Sequence, residues 1–250
     1  MAGQPAIIIA GLVVGVLFGL FGVGGSSFAT PALGLLGVPG LIAVAAPLPA
    51  TIPAAIVGMW AYVRRRQVEW SIARWSIIGG VPATIVGALL SPHVGGRALL
   101  ILSGIVLSLV GIRILMPLRE QRALLKARRR ASIVIPSAAA IGLFTGLLAN
   151  GGGFLLVPLF VLVLGLTMPE SAGTSLVVIA VLSVPTLITH WTLGHIDWAV
   201  AAAFAAGSIP GAAIGSLLAQ RLPAGAMKRT FGVLLIGFSI YFVTRQLLAN

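Results

Sequence analysis

What most restricts this sequence is a succession of apolar runs long enough to cross a lipid bilayer. They lie near residues 5–22, 43–63, 72–90, 97–116, 132–149, 171–192, 198–218 and 226–247. A crossing helix needs about 20 apolar residues. Composition agrees: 59% of the 250 residues are hydrophobic and 8% are charged, against roughly 25% charged in a soluble domain. A soluble fold of this length could not keep enough polar surface in water, so lipid must be the solvent for most of it. The expectation is an all-α polytopic integral membrane protein, one transmembrane domain over residues 1–250, held in the plasma (inner) membrane as a multi-pass protein. The opening MAGQPAIIIAGLVVGVLFGLFG lacks a positive n-region and a cleavage site followed by a polar sequence, so it reads as a retained first helix.

The formal charge is +12, from 16 Lys+Arg against 4 Asp+Glu. In a soluble chain that balance would suggest a nucleic-acid partner. Here the basic residues sit in short loops between apolar runs, the positive-inside pattern, and no nucleic acid is expected. There are no cysteines, which excludes disulfides, zinc–thiolate sites and thiol catalysis.

The chain is written twice. At an offset of 127, Gly19–Pro31 (GLFGVGGSSFATP) lies over Gly146–Pro158 (GLLANGGGFLLVP), so that Gly24 and Gly25 meet Gly151 and Gly152. At an offset of 128, Val68-Glu69-Trp70 lies over Ile196-Asp197-Trp198, and Gly79, Pro82 and Gly87 meet Gly207, Pro210 and Gly215. Each half holds four long runs and one short one, the short runs being 25–36 and 153–165. The division reads as repeat 1 over 1–118, a basic cytoplasmic linker over 117–131, and repeat 2 over 132–250. Twelve or thirteen helical residues reach about 18–20 Å, less than the ~30 Å hydrocarbon core. The short runs are therefore expected to be half-helices that end inside the membrane.

The loop Met116–Ala131 carries Arg119, Arg122, Lys126, Arg128, Arg129 and Arg130, which places it in the cytoplasm. If each short helix joins its neighbour in one crossing, the repeats are parallel and the loop with Arg221, Lys228 and Arg229 falls outside, against the rule. If each short helix crosses as a separate arm, the repeats are inverted and that loop falls inside. The inverted arrangement is favoured, with both termini outside. Trp60, Trp70, Trp75, Trp191 and Trp198 lie at helix ends, as interfacial anchors do.

Gly22-Val23-Gly24-Gly25-Ser26-Ser27 and Asn150-Gly151-Gly152-Gly153 are where chemistry is expected. Glycine inside a helix costs roughly 1 kcal/mol against alanine, so clusters at matched helix ends suggest required breaks. A break frees backbone N–H groups at the positive end of the next half-helix, which in a membrane interior suits an anion. Ser26, Ser27 and Asn150 can add side-chain donors. The competing reading, glycine for close packing, fits Gly11, Gly15 and Gly19 and also Gly207, Gly211 and Gly215, which repeat every fourth residue. Adjacent glycines are not needed for packing. Thr174 and Ser175 are expected either to cap the helix that follows the second break or to line the pathway, with Thr51 a weaker equivalent in the first half.

Glu69, Asp197 and Glu170 lie just before helices and read as caps or dipole partners. His93, His190 and His195 form no converging ligand set in the sequence. No catalytic residue, metal or cofactor is expected, and an intramembrane enzyme is the weaker alternative. Energetics admit an anion. Burying one costs several kcal/mol, while each hydrogen bond to a charged group returns roughly 1.5–3 kcal/mol and a helix end up to about 2 kcal/mol. An inside-negative potential of about 100 mV drives each negative charge outward by about 2.3 kcal/mol.

GLFGVGG…P, its echo GLLANGGG…P, the Gly173-Thr174-Ser175-Leu176 stretch and the G-x-x-P-G-A-x-x-G pattern over Gly207–Gly215 together resemble the TauE/SafE sulfite exporter family, across nearly the whole chain. The resemblance implies export of a small sulfur oxyanion or organosulfonate, with a site at Gly24, Gly25, Gly151, Gly152, Gly153, Thr174 and Ser175. This chain departs from the family where Ala46-Pro47 stands in place of a Thr-Ser pair, so the two half-sites are not chemically equivalent. The expected partners are a small anionic solute and the lipid bilayer. Another small anion, a neutral solute, or a non-transporting membrane subunit are the alternatives. A homo-oligomer is a further open partner, the oligomeric state not being set by the sequence.

Overall fold

The computed structural model describes residues 3–90, 111–115, 127–148 and 153–248. Asn150, Gly151, Gly152, His93, most of the run near 97–116 and the basic segment 116–126 lie outside them. The described elements are α1 (Gln4–Phe21), α2 (Gly25–Leu35), α3 (Gly40–Ala45), α4 (Leu48–Arg64), α5 (Trp70–Leu90), α6 (Ala127–Leu148), α7 (Gly153–Pro158), α8 (Met168–Thr192), α9 (Trp198–Ala219) and α10 (Ala224–Leu248). Residues 111–115 are also helical. Among the described residues five helical stretches are long and apolar enough to cross a membrane: α1, Ile42–Arg64, α5, α8 and α9. Their outer faces carry exposed Ile9, Trp60, Ile78, Ile188 and Ile214. So much exposed apolar surface would be a liability in water, and is the surface that lipid covers.

The short elements behave as their length demands. α2 has 11 residues, about 17 Å of helix, too little to span the core. α7 passes into a π-helical turn over Leu159–Val163, beginning after Pro158. Leu164 N–H donates to Leu159 O, one residue farther back than in an α-helix, and Pro158 itself supplies no donor. The first half has a break that the second lacks. α3 ends at Ala45 and α4 begins at Leu48, with Pro47 between them, whereas the matched stretch Thr174-Ser175 runs inside the unbroken α8.

Helix ends follow the expected chemistry. Thr167 and Glu170 form a reciprocal capping box at the start of α8, and Asp197 accepts from the N–H groups of Ala199 and Val200 at the start of α9. Arg64 lies over the ring of Trp60 at 3.6 Å and Arg74 near Trp75 at 4.9 Å. These are cations held against aromatic rings near helix ends.

The core is built by two helix crossings made in the same way. α1 packs on α9, and α6 packs on α5. In the first crossing Gly15 lies on the backbone of Ser208, Gly19 on Ala212, Gly207 on Ile8 and Gly215 on Val16. In the second Gly142 lies on Gly80, Gly146 on Thr84, Gly79 on Ile135 and Gly87 on Leu143. Each contact of one crossing maps onto a contact of the other by the offsets of 127 and 128 read from the sequence. Each half thus lends a helix to the other. At these positions a Cβ would overlap a backbone carbonyl of the partner helix, so backbones meet directly, as small-residue stripes permit in lipid. Between the crossings, α4 packs on α8.

The turns after α4 and α8 also match. Arg66 and Gly194, 128 residues apart, both take positive φ, +55° and +69°. Gln67 N–H donates to Tyr62 O at 2.9 Å and His195 N–H to His190 O at 3.1 Å, the same helix-terminating bond in each half.

Candidate substrate site at the first helix break

α1 stops at Phe21. Gly22 adopts φ +68° and donates its N–H to Phe18 O at 2.8 Å, closing the helix in a left-handed turn that glycine enters without strain. The same residue lies so close to Ala172 of α8 that any Cβ would strike the Ala172 backbone. Val23 and Gly24 are non-helical, and α2 begins at Gly25. Gly22 to Gly25 are all buried. The chain therefore breaks a helix inside the protein, as the adjacent glycines suggested.

The two ends of this break are treated differently. The final carbonyls of a helix have no intrahelical donor. Here Tyr62 of α4 answers them: its hydroxyl lies 2.9 Å from Gly19 O and 3.0 Å from Leu20 O, sharing its hydrogen between them. The N-terminus of α2 receives no side-chain cap. Its first-turn N–H groups carry the positive end of the helix dipole and lack intrahelical acceptors. The acceptor end is thus capped by Tyr62, while the N-cap of α2 is Gly24, which brings no side-chain cap. Tyr62 was not among the residues singled out from the sequence. The available signal was a tyrosine within an apolar run, since a buried phenol requires a partner.

Beside Gly25 lies a small cavity, about 10 Å³, room for roughly one water molecule. Its walls are Gly15 and Phe18 of α1, Thr51 and Ala54 of α4, and Phe204 and Ser208 of α9. An oxyanion of four heavy atoms needs more room, so its entry requires these walls to part. Thr51 is turned onto its own helix, donating to Pro47 O at 3.0 Å.

Gly24, Gly25, Ser26 and Ser27 fall at the break and in the first turn of α2, with Thr51 across the cavity from Gly25. Thr174 does not cap a helix start, because α8 begins at Met168. Its hydroxyl instead accepts the Glu69 N–H at 3.0 Å, tying α8 to the turn before α5. Ser175 is fully buried and its hydroxyl lacks a partner. Gly153 opens α7; Asn150, Gly151 and Gly152, the rest of the second break, are outside the described residues. His190 and His195 come together with Nδ1 atoms 3.3 Å apart, a pairing across the turn that spacing alone did not reveal. Among the described residues no three side chains converge as a metal site would require.

The family model for the sulfite exporter TauE/SafE matches residues 7–242. A probable membrane transporter protein of Xylella fastidiosa (strain 9a5c) is 30% identical over 250 residues, covering 95% of this chain and 94% of that protein. The probable membrane transporter protein YjnA of Bacillus subtilis (strain 168) is 29% identical over 231 residues, covering 86% and 90%. No solved structure gives a significant match. A repeated, helix-broken membrane architecture and a match over nearly the full length agree, and the chain is a multi-pass membrane transporter belonging to the sulfite exporter TauE/SafE family.

Proposed function

We propose that this transporter exports a small sulfur oxyanion or organosulfonate, held at the helix breaks by backbone N–H groups. The observation that carries the reading is the unequal first break, with Tyr62 on its carbonyl end and an uncapped α2 N-terminus on the other. In low dielectric such donors stabilise an anion far more than they would in water. Ser26, Asn150, Thr174 and Ser175 tune selectivity in this reading, and Gly24, Gly25 and Gly151 to Gly153 supply the main-chain donors.

The test uses purified protein in liposomes loaded with sulfite or with an alkylsulfonate, which stays singly negative at all working pH values. An inside-negative potential of about 100 mV contributes about 2.3 kcal/mol per charge. Efflux is expected to exceed that of protein-free vesicles and to quicken when the potential is imposed. Protein-dependent flux of neutral solutes alone would reject the anion reading.

We further propose that the two halves are inverted in the membrane, which the offset-related turns can test. The chain has no cysteine, so Arg66→Cys, in the exposed turn after α4, and Thr192→Cys, at the exposed C-terminal end of α8, each introduce a single label site. Membrane-impermeant maleimide is expected to reach Arg66→Cys only from the cytoplasmic side and Thr192→Cys only from the opposite side. Labelling of both from one side would establish parallel repeats.

A further inference from the structure

We propose that the first break is the half-site that sets substrate affinity, and that Ser208, reaching over from α9 of the other repeat, is the side-chain donor that selects an oxyanion there. This deepens the anion-transport reading above and rests on it. Three observations converge. Ser208 is 3% exposed and its hydroxyl has no hydrogen-bond partner. It lines the same cavity as Gly25, the first residue of α2, whose N-terminus has no cap. Thr51, the other hydroxyl on that cavity, already donates to Pro47 O. A buried hydroxyl normally finds a partner, and one without a partner on a cavity shared with the first residue of α2 is suited to an oxygen-rich anion.

The matched positions in the other half do not reproduce this arrangement. At the offset of 128, Ser208 corresponds to Gly80, Thr51 to Ile179 and Ala54 to Leu182. Both hydroxyls are thus lost, and small Ala54 is replaced by a large side chain. The structure agrees with that register: a Cβ on Gly80 would stand 3.0 Å from Leu182 Cδ2. The leucine thus occupies the space that beside Ser208 is a cavity walled by Ala54. The counterpart of Phe204 is Ser76, which is also buried with an unpartnered hydroxyl. Ser76 is therefore the natural comparison.

The experiment measures sulfite binding to purified protein by calorimetry in detergent, for wild type, Ser208→Ala and Ser76→Ala. Both substitutions keep the Cβ and remove only the hydroxyl, so neither alters the backbone crossing at Gly15. Melting temperatures without ligand check folding. Losing one hydrogen bond to a charged ligand corresponds to roughly ten- to a hundredfold weaker binding. That loss is expected in Ser208→Ala, with Ser76→Ala within about twofold of wild type and both melting temperatures near wild type. The unique thiol of Ser208→Cys provides a second measure, since an alkylsulfonate, which unlike sulfite does not react with the reagent, is expected to slow its modification by a small methanethiosulfonate. Wild-type affinity in Ser208→Ala, or a loss in Ser76→Ala at least as large, overturns the assignment. If wild type itself binds neither sulfite nor an alkylsulfonate, the anion-transport reading has failed instead, and the assignment falls with it.

Discussion

Leucine at position 25 is expected to bring sulfite or sulfonate flux down to the protein-free background while the protein still folds. Gly25 is the first residue of α2, and a Cβ there would stand 3.9 Å from both the Phe18 ring and Thr51 Oγ1. That is ordinary van der Waals contact, so alanine fits. Leucine goes further: it fills a cavity of about 10 Å³ and covers the main-chain donors behind it. Losing two charge-assisted hydrogen bonds, at about 1.5–3 kcal/mol each, corresponds to at least a hundredfold in flux. Overpacking costs typically about 1–3 kcal/mol, so melting temperature must be measured beside flux. Gly25→Ala is expected to melt like wild type and transport more slowly. Flux at the wild-type rate in Gly25→Leu would mean that substrate passes elsewhere.

A second large effect concerns the crossing of α1 with α9. Gly19→Ala is expected to cost at least about 3 kcal/mol, the upper end of ordinary overpacking, and Gly19→Leu to prevent accumulation of folded protein. The added Cβ would overlap the carbonyl oxygen of Ala212, with its Cα also close. A flexible side chain could swing aside, but two helical backbones cannot yield without separating along their length. Gly215, on the partner helix, would strike the Val16 carbonyl in the same way. Gly225 meets nothing within 4 Å, so Gly225→Ala serves as the neutral control. Thermal unfolding in detergent, followed by size-exclusion fluorescence, reports the difference. Equal stability of Gly19→Ala and Gly225→Ala would show that the crossing is looser than described.

The first helix break and two of the helix caps were legible in the sequence because their causes are local. Adjacent glycines at a helix end pointed to a break, and Gly22 to Gly25 do interrupt the helix, although Gly22 also packs on the Ala172 backbone. Glu170 and Asp197 cap helices as their positions before apolar runs indicated. Of the two roles expected for Thr174, capping a helix start does not hold, because its hydrogen-bond partner is not local. Sequence set it near a helix start, whereas α8 begins six residues earlier and the hydroxyl serves Glu69, 105 positions away. Tyr62 and Ser208 were missed for a related reason. Each lies against an element far from it in sequence, Tyr62 on α1 and Ser208 on the cavity that Gly25 of α2 also lines, and nothing in the neighbouring residues announces a distant contact.

The sequence by itself determined that the chain lives in lipid, that it is doubled, and where its first long helix must stop. Those properties follow from transfer energies, spacing and the main-chain freedom of glycine, all of which act over a few neighbouring residues. Tertiary structure alone decided that each half packs a helix into the other, that Tyr62 closes one end of the first break, and that Leu182 packs beside Gly80 where the matched Ser208 borders a cavity. Those outcomes depend on which backbones approach within contact distance. That is settled only when all the small-residue stripes and bulky side chains compete for the same interior.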